Sequence, residues 1–87
     1  MDFASVPLTQ LRSGQSALIQ GFSPTIAPHC RKLLQNLGIN RQIPITLIRR
    51  APFGDPLQLQ VLGSQFSLRA SEACHIYVNI PLAHKND

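Results

Sequence analysis

The chain has 87 residues, a length that supports one small domain and excludes two independent cores. An apolar share of 44% excludes a disordered chain, and a net charge of +4 suits an anionic partner. The basic residues stand singly or as the pairs Arg31–Lys32 and Arg49–Arg50, and there is no Trp on which bases could stack. We therefore expect no nucleic-acid partner.

The opening segment MDFASVPLTQLRSGQ has neither the basic start nor the apolar stretch of a signal peptide. No segment reaches the ~20 apolar residues of a membrane helix, so membrane insertion is not expected. These features predict a cytoplasmic protein. In that compartment Cys30 and Cys74 are not expected to form a disulfide.

The first predicted strand is SALIQGF, which is less regular than the strands after it. The only helical period follows in SPTIAPHCRKLLQNLG, where apolar residues recur at i, i+3, i+4 and i+7. This spacing predicts a helix of roughly three turns. Its buried stripe is expected to consist of Cys30, Leu33, Leu34 and Leu37.

Both ends of this helix carry boundary signals. Pro28 suits the first turn, where its missing N–H would have had no partner in any case. Ser23 or Thr25 is the expected cap upstream of that turn. Gly38 follows the last apolar residue of the stripe and predicts a left-handed stop.

Four further segments alternate apolar and polar residues, as half-buried strands do. They are IPITLIRR, LQLQV, QFSLR and CHIYVNI, with inward residues Ile43, Ile45, Leu47, Leu57, Leu59, Val61, Phe66, Leu68, Cys74, Ile76, Val78 and Ile80. Gly63–Ser64 is predicted to form a type II′ hairpin turn. The sequence thus predicts a mainly β fold, a small five-stranded, partly closed barrel with the helix inserted between the first and second strands.

Two pairs of neighbouring residues, His29–Cys30 and Cys74–His75, carry the nitrogen and sulfur atoms that bind zinc in proteins, which raises the question of a metal site. Neighbouring residues point in different directions, so such pairs rarely reach one ion. The pattern favours two core cysteines and two surface histidines, and it requires no cofactor. Weak binding of a transition metal ion by the surface histidines His29, His75 or His84 remains an alternative.

The sequence contains no pattern typical of a serine hydrolase, a phosphate-binding loop or a dinucleotide fold. A general acid and base would have to come from Asp55 and Glu72. Glu72 stands three residues after Arg69, so a local ion pair in a tight turn is its favoured role. We therefore predict that the protein is not an enzyme.

Several landmarks stand in a distinctive order along the chain. They are Leu8, Leu11, Gly14, Ile19 and Gly21, then Leu37-Gly38-Ile39, then the turn Pro52-x-Gly54-Asp55-Pro56, and finally Leu68-Arg69-x-x-x-Ala73. In this order they resemble the FeoA family, the small cytosolic partners of the ferrous iron transporter FeoB. The resemblance extends over residues 6 to 80.

The resemblance implies an SH3-like barrel over residues 1–80, with residues 81–87 as a frayed C-terminal tail. It also implies no catalysis of its own. A protein of this family docks to FeoB, on its cytosolic GTPase domain or its membrane core, so the resemblance places the protein at the inner face of the membrane through that partner. One position departs from the family pattern, because Gln42 stands where a glycine is usual. The turn before the second predicted strand is therefore expected to differ in shape.

The stretch RRAPFGDPLQLQV places the Pro-x-Gly-Asp-Pro turn between two predicted strands. Pro52 and Pro56 restrict the backbone, and Gly54 permits a bend. Asp55 is expected to accept hydrogen bonds from N–H groups of its own loop. One interpretation is a stiff loop that holds two strands in register. The other is a loop that presents Phe53 to a partner, although Phe53 could instead cover the barrel end.

The leading hypothesis is an accessory interaction module of bacterial ferrous iron uptake, which binds the cytosolic part of FeoB and modulates its GTPase or transport activity. Its candidate partner-binding residues are Arg31, Lys32, Arg49, Arg50, Phe53 and Asp55. Its candidate structural turn residues are Gly38, Pro52, Gly54 and Pro56. The alternative is a metal-sensing or regulatory domain similar to the SH3-like domains of metal-dependent repressors. The sequence leaves open whether the protein forms homo-oligomers.

Overall fold

The computed structural model describes residues 3–81, which form six antiparallel strands, two short helices and a 3₁₀ turn. In chain order these are β1 (Phe3–Pro7), the 3₁₀ turn (Leu8–Gln10), β2 (Ser16–Phe22), α1 (Pro28–Asn36), β3 (Pro44–Arg50), β4 (Leu57–Val61), β5 (Ser64–Leu68), α2 (Ala70–Ala73) and β6 (Ile76–Pro81). The strands form one sheet in the order β1-β6-β2-β3-β4-β5. Neither helix within residues 3–81 is long and apolar enough to cross a membrane.

One face of the sheet lines a single apolar core. Strand β4 shows the predicted alternation most clearly, since Leu57, Leu59 and Val61 are buried while Gln58 and Gln60 lie between them. The core residues outside β4 are Leu8, Leu11, Ile19, Ile26, Leu34, Ile39, Ile45, Leu47, Leu68, Ala73, Ile76 and Val78. Within residues 3–81 the buried class contains no polar or charged residue. The predicted mainly β fold is confirmed.

The structure contains a strand, β1, that the sequence analysis missed, so the predicted count of five was one short. β1 pairs with β6 from Phe3 opposite Pro81 to Pro7 opposite Tyr77. Its sequence, FASVP, lacks the alternating large apolar residues that mark a strand, and its pairing with β6 decides its conformation. Pro81, predicted to begin the tail, ends β6, and residues 82–87 lie outside the described part of the chain.

The C-terminal end of α1 is set by a glycine. Gly38 has a φ of +97° and follows the C-terminal cap residue, Leu37. A Cβ added to Gly38 would lie 3.2 Å from Cδ1 of Leu62, which is tighter than most such contacts. Glycine is therefore suited to this position both by its backbone conformation and by the closeness of the β4–β5 turn.

The N-terminal end of α1 differs from the prediction. Pro28 is the first helical residue, but the cap residue is Ala27, which makes no side-chain hydrogen bond. The hydroxyls of Ser23 and Thr25 bond each other instead, with 2.8 Å between their oxygens. The predicted cap at Ser23 or Thr25 was therefore wrong, because these residues form a separate turn before the helix.

Strands β4 and β5 are joined by Leu62–Gly63 rather than by Gly63–Ser64. Val61 pairs directly with Ser64, and the two turn residues have φ values of +51° and +82°. Two positive φ values make this a type I′ turn, not the predicted type II′. Leucine at the first turn position gives no sequence signal, because Asn, Asp or Gly usually occupies it.

Helix α2 is a second element that the sequence analysis missed. The backbone N–H of Arg69 donates to Oε1 of Glu72 (3.2 Å), so Glu72 caps this helix rather than forming the predicted ion pair. Cys74 follows the helix and is exposed, with Sγ 3.3 Å from the carbonyl oxygen of Ser71. The prediction of a core Cys74 was wrong, because α2 delays the start of β6 to Ile76.

Gln42 adopts a backbone conformation that favours glycine. Its φ is +69°, in the left-handed region. Its N–H donates to the carbonyl of Ile19 (2.8 Å), so this turn aligns β2 with the start of β3. The left-handed conformation costs roughly 1–2 kcal/mol for a residue with a side chain.

We expect Gln42→Gly to raise the free energy of unfolding by roughly 0.5–1 kcal/mol, because relief of this strain exceeds the entropy cost of glycine. Chemical denaturation measures the change. Gln42→Ala is the control, since alanine keeps a Cβ at the same φ and should leave the stability close to that of the parent protein. Equal stability of the glycine and alanine variants would contradict the assignment of strain to Gln42.

Candidate docking surfaces

The loop Ala51–Pro56 joins β3 to β4 and is closed by two backbone hydrogen bonds. The N–H of Ala51 donates to the carbonyl of Pro56 (3.0 Å), and the N–H of Gly54 donates to the carbonyl of Ala51 (2.7 Å). Gly54 bends the chain with a φ of +87°, and the Asp55–Pro56 peptide bond is cis. Phe53 stands at the tip with 98% of its surface exposed, so it does not cover the barrel end.

Asp55 contacts an element outside its own loop. Its Oδ1 accepts a hydrogen bond from the N–H of Ala70 (2.7 Å), the first residue of α2. The predicted bond to N–H groups of its own loop was therefore wrong. The N–H groups of a first helical turn have no partner inside the helix, so this carboxylate both caps α2 and anchors the loop.

Arg49 and Arg50 are adjacent, but the structure gives them different environments. The pairing of β3 with β4 shifts by one residue between Leu47 and Arg49, and such a bulge redirects the side chains that follow. Arg49 is exposed. Arg50 is half-buried, and its Nη2 donates to the carbonyls of Thr9 and Leu11, the latter at 2.8 Å. Arg50 therefore holds the 3₁₀ turn against β3 and is not a free partner-binding group.

The apolar stripe of α1 is less buried than predicted. Leu34 is 3% exposed and Cys30 is half-buried, but Leu33 is 61% exposed and Leu37 is 45% exposed. The strands already fill most of the core, so a helix of nine residues inserts only one leucine. The helical period identified the stripe correctly as apolar, and it could not show that half of it lacks a partner.

The exposed leucines of α1 continue onto the β4–β5 turn. Leu33 and Leu37 are one helical turn apart and thus neighbours on the helix surface. Leu62 is 69% exposed, and its Cδ1 lies against Gly38, the residue after Leu37. We call Leu33, Leu37 and Leu62 the leucine patch. Sequence analysis missed it because Leu62 lies in a turn and the α1 leucines were assigned to the core.

The charges near the leucine patch have one sign. Arg31 and Lys32 are exposed on α1, on a different element from the loop of Phe53. The only acidic residues among residues 3–81 are Asp55 and Glu72, and both are bonded at the start of α2. Helix α1 therefore presents basic side chains beside apolar ones.

The nitrogen and sulfur side chains of the described residues do not assemble into a metal site. Within residues 3–81 there is no group of three His, Cys, Asp or Glu side chains that could hold a metal ion. His29 is exposed on α1. His75 is half-buried, and its Nδ1 is buried without a hydrogen-bond partner among the described atoms. His84, the third candidate ligand, lies outside the described residues.

We expect Asp55→Ala to lower the free energy of unfolding by about 1 kcal/mol, because it removes a helix cap. Asp55→Asn retains an oxygen that can accept from Ala70 and should cost less. Chemical denaturation of the three proteins measures both changes. Equal losses in the two variants would show that the charge of the carboxylate, rather than its hydrogen bond, stabilises this corner.

We expect Arg50→Met to lower the free energy of unfolding by roughly 1.5–3 kcal/mol, because it removes charge-assisted hydrogen bonds to two carbonyl groups. Arg49→Met is the matched control and should change the stability by less than about 0.5 kcal/mol, since Arg49 is exposed. Thermal unfolding monitored by circular dichroism compares the two. Similar values for both variants would contradict the tethering role of Arg50.

No curated protein sequence matches the chain. A family model described as the FeoA domain matches residues 6–80. The solved structure of a FeoA-like protein from Clostridium acetobutylicum is similar, with 30% identity, 95% of this chain and 94% of that chain covered, and a TM-score of 0.79. A second similar structure is FeoA from Stenotrophomonas maltophilia, which is complexed with zinc and described as a prokaryotic SH3 domain protein. It has 28% identity and a TM-score of 0.75, and the match covers 84% of this chain and 88% of that chain.

A manganese-dependent transcriptional repressor has a similar fold over 90% of this chain and 42% of its own, with a TM-score of 0.77. At 17% identity this likeness shows the fold alone. The predicted SH3-like fold class is confirmed by these comparisons. Since the FeoA domain model matches most of the length of the chain, the chain belongs to the FeoA family, which is linked to ferrous iron transport.

Proposed function

We propose that the protein is an accessory interaction module of bacterial ferrous iron uptake, which binds the cytosolic part of a FeoB-type transporter. It modulates the GTPase or transport activity of that partner and catalyses no reaction itself. It acts in the cytoplasm and reaches the inner face of the membrane through the transporter. The observation that carries this proposal is the leucine patch, an uncovered apolar surface on a member of an iron-transport family.

The leucine patch supplies the apolar part of the contact. Full burial of a leucine side chain contributes roughly 1.5–3 kcal/mol. The three leucines retain between 45% and 69% of their exposure, so a partner that covers them recovers a substantial part of that free energy. The patch lies on a helix and a tight turn, so little conformational entropy is lost on docking.

The charges beside the patch favour an acidic partner surface. Arg31 and Lys32 are exposed on the same helix, and α1 itself has no acidic residue that could neutralise them. Charges at the rim of an interface mainly increase the association rate and the selectivity for a partner of opposite sign. The partner surface is therefore expected to combine an apolar centre with acidic neighbours.

The loop Ala51–Pro56 is a second candidate contact. Its two backbone hydrogen bonds and the bond from Ala70 to Asp55 order it before docking. Phe53 is exposed at its tip and Arg49 is exposed on the adjoining strand. A preordered loop with an aromatic tip can insert into a partner's pocket without paying an ordering cost.

We expect Leu33→Glu combined with Leu37→Glu to weaken binding of the cytosolic part of the transporter at least about tenfold, which corresponds to ~1.4 kcal/mol. Biolayer interferometry with purified transporter measures the dissociation constant. Gln35→Glu combined with Asn36→Glu is the matched control, because it makes the same charge change at exposed positions of the same helix. Unfolding curves verify that both double variants remain folded.

The outcomes of this experiment distinguish a wrong choice of docking surface from a wrong function. If both double variants bind equally, the leucine patch is not in the interface, and Phe53→Ser with Arg49→Glu then tests the loop. If the parent protein itself forms no complex with the transporter, in the presence or absence of a GTP analogue, the proposed function is wrong.

A metal-responsive role is the second candidate, and the zinc complex of the Stenotrophomonas protein is the observation that favours it. Within residues 3–81 no three candidate ligands come together, so His29 and His75 would each act with ligands from elsewhere. Titration with Fe²⁺ or Zn²⁺, followed on the histidine ring resonances, distinguishes the two candidates. Stoichiometric shifts of these resonances would support a metal site. Unchanged resonances would contradict the metal-responsive role and leave the accessory interaction module as the remaining candidate.

A further inference from the structure

The free edge of β5 is a feature that the proposed function does not use. β5 is last in the sheet order, and among the strands of residues 3–81 it pairs only with β4. Its sequence, SQFSL, contains no proline, no charge and no register shift, the devices by which edge strands usually avoid pairing with another chain. The opposite edge, β1, ends in Pro7, which has no N–H to donate.

The register of the β4–β5 hairpin determines which backbone groups face outward. Val61 and Ser64 close a two-residue turn and form a hydrogen-bonded pair, so Phe66, two residues on, also bonds to β4. The N–H and C=O groups of Gln65 and Ser67 therefore point away from β4. No backbone hydrogen bond joins them to another loop or turn within residues 3–81.

We propose that β5 of one molecule pairs with β5 of a second copy, antiparallel and around a two-fold axis at Phe66. In this register Gln65 of one copy lies opposite Ser67 of the other. Each such pair exchanges both N–H···O=C bonds, and the symmetric pair does the same, which satisfies all the outward groups of the two strands. The two Phe66 side chains then meet at a non-hydrogen-bonded position, where side chains approach most closely.

The side chains and charges of this edge also fit a second copy. Phe66 is partly buried against the core, so a second Phe66 ring covers its remaining exposed part. There is no charged residue from Leu57 to Leu68, and Arg69 lies opposite Gly63 of the second copy. Although each molecule has a net charge of +4, its charged residues lie outside this strand, so no like charges stand opposite each other along the paired edge.

The interface consists of one short strand from each molecule, so the dimer is weak. Sedimentation equilibrium of the 87-residue protein from about 10 µM to about 1 mM should show a monomer–dimer equilibrium. Over the same range, hydrogen exchange of the Gln65 and Ser67 amides should slow by a factor of about three or more. The amides of Ser64 and Phe66 already bond to β4 and should not change.

Gln65→Lys combined with Ser67→Lys places like charges directly opposite each other and should raise the dimer dissociation constant at least about tenfold. Gln58→Lys combined with Gln60→Lys is the matched control. It adds the same charge to the same sheet face, one strand away from the edge, and should leave the dimer intact. Ser67→Pro removes an outward N–H without a charge change, is tolerated on an edge strand, and should also abolish the dimer.

Several outcomes would overturn the β5 dimer. A protein that stays monomeric at about 1 mM has no such pairing. A dimer that persists in both the Ser67→Pro variant and the Gln65→Lys, Ser67→Lys double variant forms at another surface. Equal weakening of the dimer by this double variant and by the control double variant indicates a general charge effect. Edge variants that lose transporter binding while self-association is unchanged assign the edge to a strand of the transporter. None of these results decides the transporter function itself.

Discussion

The sheet wraps around side chains that are all apolar, and this dry interior limits what the rest of the chain can do. Among residues 3–81, fifteen buried residues fill it, and α1 contributes only Leu34 to them. Because the strands supply most of the core, Leu33 and Leu37 have no internal surface to cover. The same constraint that makes the barrel stable leaves an apolar helix face outside it, beside basic side chains.

The fold was predictable where an element carries its own pattern. Strand β4 alternates without exception, and Gly38 marks the end of α1, so both could be placed from the sequence. Strand β1 and helix α2 could not, because each depends on a distant partner: β1 pairs with β6, and the carboxylate of Asp55 caps α2. The turn at Leu62–Gly63 was misplaced since leucine rarely adopts a positive φ.

The candidate site was predictable in outline only. The loop with Phe53 at its tip follows from its prolines and glycine, and the structure adds the anchoring of Asp55. Arg49 and Arg50 look equivalent in the sequence, yet a bulge in β3 turns one to solvent and the other onto backbone carbonyls. The leucine patch depends on how much of the core other elements fill, and no local pattern contains that information.

The direct pairing of Phe3 with Pro81 brings the two ends of the described chain side by side. Opposite residues of antiparallel strands lie only about 5 Å apart, so a short peptide could join them. A circular permutant with these positions linked and new termini opened at the Phe53 loop would keep every strand of the sheet intact. Affinity tags or fluorescent proteins fused directly to Phe3 and to Pro81 would both leave the barrel at one corner, where they would compete for the same space.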